Sequence, residues 1–201
     1  MPEIRMVKTD FELKGEGDGD LRIEGYAAVF NEPAEEQMGF IEKISPGAFR
    51  NAIATSDTRA LINHNADKIL ARKSANTLQL LEDEKGLYYE IDPPDTTYAR
   101  DLIESMRRGD INQSSFGFVV AEGGEKWDES GEVPVRTITE VEELRDVSPV
   151  TFPWYDNTES GLKSKEQVLA EYRNKKKKKS NRKLKLLKRK NNLHRRLYKD
   201  G

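Results

Sequence analysis

The chain has 201 residues, of which 34 are Lys or Arg and 36 are Asp or Glu, and it has no cysteine. The missing thiol excludes cysteine catalysis, disulfide staples and thiolate zinc sites. No stretch approaches the roughly 20 apolar residues a membrane helix needs, and Met1-Pro2-Glu3-Ile4-Arg5 has no apolar run behind it, so neither a span nor a signal peptide is expected.

The net charge of −2 conceals a division. Residues 1–162 carry 17 Lys/Arg against 33 Asp/Glu, a net of −16, whereas residues 163–201 carry 17 against 3, a net of +14. Two objects with different tasks are expected: a folded domain over 1–162 and a basic, flexible C-terminal tail over 163–201.

In chain order, Asp18-Gly19-Asp20 has turn chemistry. Leu21 and Ile23, then after a shift Tyr26, Ala28 and Phe30, alternate as in a half-buried strand. The Ser45-Pro46-Gly47 turn leads into a short helix through Ala48 to Ile53. Leu78 to Leu81 and Leu87 to Ile91, joined by the polar segment Glu82 to Gly86, read as a hairpin that Asp92-Pro93-Pro94 ends. Thr97 to Arg108 puts Ala99, Leu102, Ile103 and Met106 on one helical face, with Asp95, Thr96 or Thr97 to cap it and Gly109 to stop it. Val119-Val120, Val133 to Val135, Ile138 and Val141 mark two or three more strands. Strands interrupted by inserted helices, without regular βαβ alternation, predict an α+β fold, mainly an antiparallel β-barrel. In the tail, Lys165 to Arg173 suits a helix, but the five consecutive lysines Lys175 to Lys179 repel one another and predict an extended or only transiently helical segment.

The chemistry centres on Ile111-Asn112-Gln113-Ser114-Ser115-Phe116-Gly117-Phe118. A serine hydroxyl is a poor nucleophile until a base takes its proton. The chain has two histidines, and His194 lies in the basic tail, which leaves His64 as the imidazole base. In a strand Ser114 and Ser115 point to opposite faces, so only one meets His64; Ser115 is the candidate, with Phe116 and Phe118 turned to the core. Gly117 allows a close backbone approach, useful beside a peptide substrate. Asn63, Asn65 and Asp67 are placed to fix the His64 tautomer, while His64 and Asp67 alone are too few ligands for a metal. An acid must orient the imidazole. Asp146 opens the apolar run Val147-Ser148-Pro149-Val150, and spacing leaves Glu142 and Glu143 open as competitors.

Five stretches occur in order: Gly25-Tyr26-Ala27-Ala28-Val29-Phe30-Asn31, Ser45-Pro46-Gly47-Ala48-Phe49, Asn63-His64-Asn65, Ser114-Ser115-Phe116-Gly117-Phe118, and Asp146-Val147-Ser148-Pro149-Val150-Thr151-Phe152-Pro153. Together, over about residues 20–157, they resemble the prohead (capsid maturation) serine protease family of tailed phages and prophages. The resemblance implies an assemblin-like fold similar to the herpesvirus proteases. It implies a serine endopeptidase that works without a cofactor inside the procapsid, in the host cytoplasm. Its substrates would be scaffold, the scaffolding segment of the major capsid protein, and itself. His64 matches the family's base, Ser115 the serine before Phe-Gly-Phe, and Asp146 the acid before Val-Ser. The chain departs from many relatives in having Ser114, where they have methionine, and Trp154-Tyr155 after Pro153. The herpesvirus likeness implies a homodimer. Nucleic acid enters only as a partner for the basic tail, whose aromatics are Tyr172 and Tyr198. The rival reading keeps the fold and drops the chemistry: a catalytically silent, scaffold-type assembly protein.

Overall fold

The computed structural model describes residues 2–8, 12–15, 21–33, 40–151 and 165–197. Strands β1 (Glu3–Lys8), β2 (Glu12–Lys14), β3 (Arg22–Val29) and β4 (Ile41–Ile44) precede helix α1 (Arg50–Thr55). Strands β5 (Arg59–Ile62), β6 (Asn65–Arg72), β7 (Leu78–Glu82) and β8 (Gly86–Ile91) lead to helix α2 (Thr97–Arg107). Strands β9 (Gln113–Val120), β10 (Glu125–Asp128), β11 (Val135–Ile138) and β12 (Val141–Val150) follow, then helix α3 (Lys165–Leu197). The chain divides into two compact units, Met1–Lys163 and Ser164–Gly201. No described helix is long and apolar enough to cross a membrane.

The first unit is mixed α+β with sheets dominating. Its strands form three sheets, ordered β1-β9-β12-β5-β6, β10-β11-β4 and β2-β3-β8-β7. Among the described residues these sheets are open, where the sequence suggested a barrel. Most neighbours run antiparallel, but β12 pairs with β5 and β11 with β4 in parallel. The shift expected within the Leu21 to Phe30 segment is a bulge between Tyr26 and Ala28 of β3. The hairpin is present as β7 and β8, its loop shortened to residues 83–85. Helix α2 buries Ala99, Leu102, Ile103 and Met106; Thr96 Oγ1 accepts from the Ala99 amide at 3.4 Å, and Gly109 follows with φ of +78°. The turn expected at Asp18 to Asp20, and Phe152 to Tyr155 near the motif's end, lie outside the described residues.

The core face of β9 joins an aromatic row. Phe118 stacks on Phe116 at 4.8 Å, Phe116 meets Phe49 edge-on at 5.6 Å, and Phe49 lies 6.3 Å from Phe30. These rings bring large apolar area and favourable ring geometry to the centre of the unit.

Beside this apolar centre lies a buried ionic cluster that the sequence did not announce. Glu3, Arg5, Glu42 and Arg136 are each 5% exposed or less. Arg136 Nη1 contacts Glu3 Oε2 at 2.6 Å and Glu42 Oε2 at 2.7 Å, and its Nε reaches Glu125 Oε2 at 2.8 Å. Arg5 bonds Glu42 through Nε and Nη2 and reaches Glu3 at 2.7 Å. The cluster ties edge strand β1 to β4, β10 and β11. Each charge is tolerable only because its partners are present.

The tail reading is corrected in one respect. Residues 165–197 form a single helix, not an extended segment. It contains no Gly or Pro, and it is rich in Lys, Arg and Leu, whose helix propensity is high. Glu171 stands four residues before Lys175, the favourable order for a helical charge pair. Leu184 and Leu186 are exposed.

The ionic cluster makes acid stability predictable. Burial pushes the Glu42 carboxyl up, but Arg5 and Arg136 override it and bring it from 4.5 to about 2. A carboxyl lowered in the folded state contributes stability that is full above pH 4.5 and is lost as pH falls toward 2. Denaturant unfolding from pH 7 to pH 2 should show this loss. Glu42→Gln should flatten that slope and cost about 3–5 kcal/mol at neutral pH.

Candidate active site

The site is built on the register of β9 against β12. Ser115 lies opposite Ser148, Phe116 opposite Val147, and Gly117 opposite Asp146. Ser115 and Gly117 therefore share a face with Asp146 and Ser148, while Phe116, Phe118, Leu144 and Val147 turn to the core. Leu144 and Asp146 are two apart and would share a face in a regular strand. An irregularity between them leaves Arg145 as an extra residue and reverses the alternation. That extra residue turns Asp146 away from the core.

His64 arrives from the neighbouring hairpin. Strand β5 runs parallel to β12, and Asn63 and His64 form the two-residue turn between Ile62 and Asn65, which pair with each other. Both turn residues have positive φ, 52° and 56°, the sign a type I′ hairpin turn requires. Asn63 holds the turn to the end of β12: its amide donates to the Pro149 carbonyl at 3.0 Å, and its Oδ1 accepts from the Thr151 amide at 2.8 Å. The imidazole reaches back over β12.

There it makes two contacts. His64 Nδ1 lies 2.6 Å from Asp146 Oδ1, and His64 Nε2 lies 2.6 Å from Ser115 Oγ. With Asp146 ionised, Nδ1 carries the proton and Nε2 is the acceptor facing the serine. Ser115 Oγ also has the Arg5 carbonyl oxygen within 2.9 Å. One hydroxyl proton cannot serve both acceptors. Donation to the Arg5 carbonyl requires His64 to carry a proton on Nε2; donation to His64 is the arrangement for general-base catalysis.

The structure thus brings His64, Ser115 and Asp146 together. Ser114 points to the core face, where its Oγ donates to the Tyr89 hydroxyl at 3.2 Å; burial pushes the Tyr89 phenol up and keeps it neutral. Glu142 and Glu143 are exposed, and Glu143 pairs with Arg145 at 3.2 Å. The neighbours expected to set the tautomer do other work: Asn65 Oδ1 accepts the Asp67 amide at 2.9 Å, and Asp146 holds the imidazole. Ser115 has no exposed surface, although it stands on the face away from Phe116 and Phe118. Among the described residues no group of three or more His, Asp or Glu side chains is arranged to hold a metal ion.

At Gly117 the structure shows a close approach from within the fold. A Cβ at this position would stand 2.5 Å from Asp146 Oδ2. The close approach is that of the carboxylate. Gly117→Ala should displace Asp146, removing the hydrogen-bonded Nδ1–H resonance of His64 from the proton NMR spectrum, and cost about 1–3 kcal/mol in chemical denaturation.

No curated protein matches the chain. Among solved structures it is similar to the bacteriophage T4 capsid assembly protease gp21, at 12% identity and a TM-score of 0.45, over 76% of this chain and 99% of that one. A family profile described as caudovirus prohead serine protease (Peptidase_S78) matches residues 9–173. Matched over most of its length, the chain belongs to the caudovirus prohead serine protease family.

Proposed function

We propose that the chain is a serine endopeptidase of procapsid maturation with Ser115 as nucleophile, His64 as general base and Asp146 as the orienting acid. The observation that carries this reading is the pair of 2.6 Å contacts on either side of the His64 ring. Ser115 Oγ attacks the scissile carbonyl as its proton passes to His64 Nε2, giving a tetrahedral oxyanion. The imidazolium, stabilised by Asp146, then protonates the leaving amine, and an acyl-enzyme remains. Water, activated by the same imidazole, releases the acid product and regenerates Ser115. Acid–base help of this kind is worth roughly 10²–10⁴-fold. The chemistry calls on no cofactor.

The family supports capsid proteins as substrates. The finer reading is that the enzyme trims scaffold, the scaffolding segment of the major capsid protein, and itself, inside the procapsid in the host cell. An assemblin-like arrangement and a homodimer belong to the same proposal. So does a division of labour in which residues 1–162 cleave and the basic segment 163–201 docks on acidic scaffold or capsid lattice before being removed. The rival of a catalytically silent assembly protein has one observation in its favour, the complete burial of Ser115.

Co-expression with the major capsid protein, read by intact mass, decides between them. Wild type should shorten the capsid protein and itself, and Ser115→Ala should leave both whole while still entering particles. Absence of cleavage by a folded, co-assembled wild type would favour the silent reading. Asp146→Asn should lower kcat by on the order of 10⁴-fold. Deleting residues 163–201 should spare peptide cleavage and abolish incorporation into proheads; normal incorporation would remove the docking role of the tail.

A further inference from the structure

We infer that Ser148 is a positioning residue for the proposed catalytic acid: its hydroxyl, acting with the bare backbone of Gly117, holds the Asp146 carboxylate at the angle that presents Oδ1 to His64. This rests on the peptidase reading above and deepens it. Ser148 Oγ donates to Asp146 Oδ1 at 2.7 Å, on the same oxygen that His64 Nδ1 meets at 2.6 Å. The other oxygen, Oδ2, faces Gly117, where even a methyl group would fall within 2.5 Å. The carboxylate is therefore confined on both sides.

The confinement matters because nothing in aspartate itself fixes its plane. The terminal torsion of Asp is broad, so the orientation of its two oxygens is set by what they bond. His64 alone would supply one bond, and it sits on a turn rather than in a strand. Ser148 supplies a second from a strand interior. Its hydroxyl has no exposed surface, so bulk water does not replace it when it is removed. Register makes the arrangement possible: Ser148 lies opposite Ser115, on the face that also carries Asp146 and Gly117. No hydrogen bond joins Ser148 to Ser115 Oγ or to His64 among the described residues, and Ser148 acts through Asp146. The charged partner of the imidazole is Asp146 from β12; Asp67 and Lys68, on the strand that follows the turn, are exposed.

The test combines NMR with processing kinetics on the full chain. With one other histidine in the sequence, His194→Gln leaves His64 as the sole imidazole signal. The hydrogen-bonded Nδ1–H resonance of His64 should be sharp with Ser148, should broaden and move upfield in Ser148→Ala, and should return in Ser148→Thr. Processing of the major capsid protein should slow about ten- to hundredfold in Ser148→Ala, the range for losing a hydrogen bond to a charged group. In an Asp146→Asn background the same substitution should have no further effect. An unchanged resonance in folded Ser148→Ala, or an equal loss of rate whether or not Asp146 is present, overturns the inference. If Ser148→Ala does not fold, Ser148→Cys, a weaker donor of similar size, takes its place with the same criteria. Because the resonance is read without turnover, an inactive protein removes the peptidase reading while the positioning of Asp146 is still decided. An active protein whose resonance ignores Ser148 keeps the peptidase reading and loses this one.

Discussion

The alignment of β9 against β12 is the constraint on which the rest depends. Side chains alternate along a strand, so a slip of one residue would send Ser115 or Asp146 to the wrong face. The pairing has to place Ser115 and Gly117 opposite Ser148 and Asp146, and it also has to sink Phe116 and Phe118 beside Val147 and Leu144. A regular β12 does not satisfy both demands, since Leu144 and Asp146 are two apart. The extra residue at Arg145 reconciles them. The aromatic row then resists any slip, because moving the register would pull Phe116 and Phe118 out of the centre of the unit.

Strand β1 shows how tightly site and core are joined. The Arg5 side chain is locked among Glu3, Glu42 and, through those two, Arg136, while its carbonyl oxygen lies beside the Ser115 hydroxyl. The same residue is a buried ion at one end and a wall of the site at the other. An edge strand held only by its backbone ladder would fray readily. Here it is also held by the mutual need of buried charges.

Much of the site was legible in the sequence because its chemistry is scarce: one histidine lies outside the basic tail, and one serine has the right strand parity and neighbours. The buried face of α2 and the β7–β8 hairpin were legible because their periods are clean. Strands β1, β4 and β10 were not. Glu3, Arg5, Glu42 and Glu125 carry no local sign of burial, since their burial or part-burial comes from partners up to 133 positions away. The extra residue at Arg145 has no local signature. Ser148 was within reach of the same two-residue alternation that selected Ser115, as it stands two positions after Asp146. In the C-terminal segment the helix propensity of lysine and leucine prevails over the repulsion of the lysine run.

The long span of the ionic cluster has a consequence for the timing of synthesis. Glu3 is made before its partner Arg136, which follows 133 residues later. Until the ribosome has released that arginine, Glu3 and Glu42 have only Arg5 between them and the ionic cluster is incomplete, and Asp146 and Ser148 are later still. A nascent chain therefore carries Ser115 and His64 before it has Asp146. Everything from β1 to β12 has to be made before His64, Ser115 and Asp146 can meet, which builds a delay after translation of Ser115 into the order of the residues.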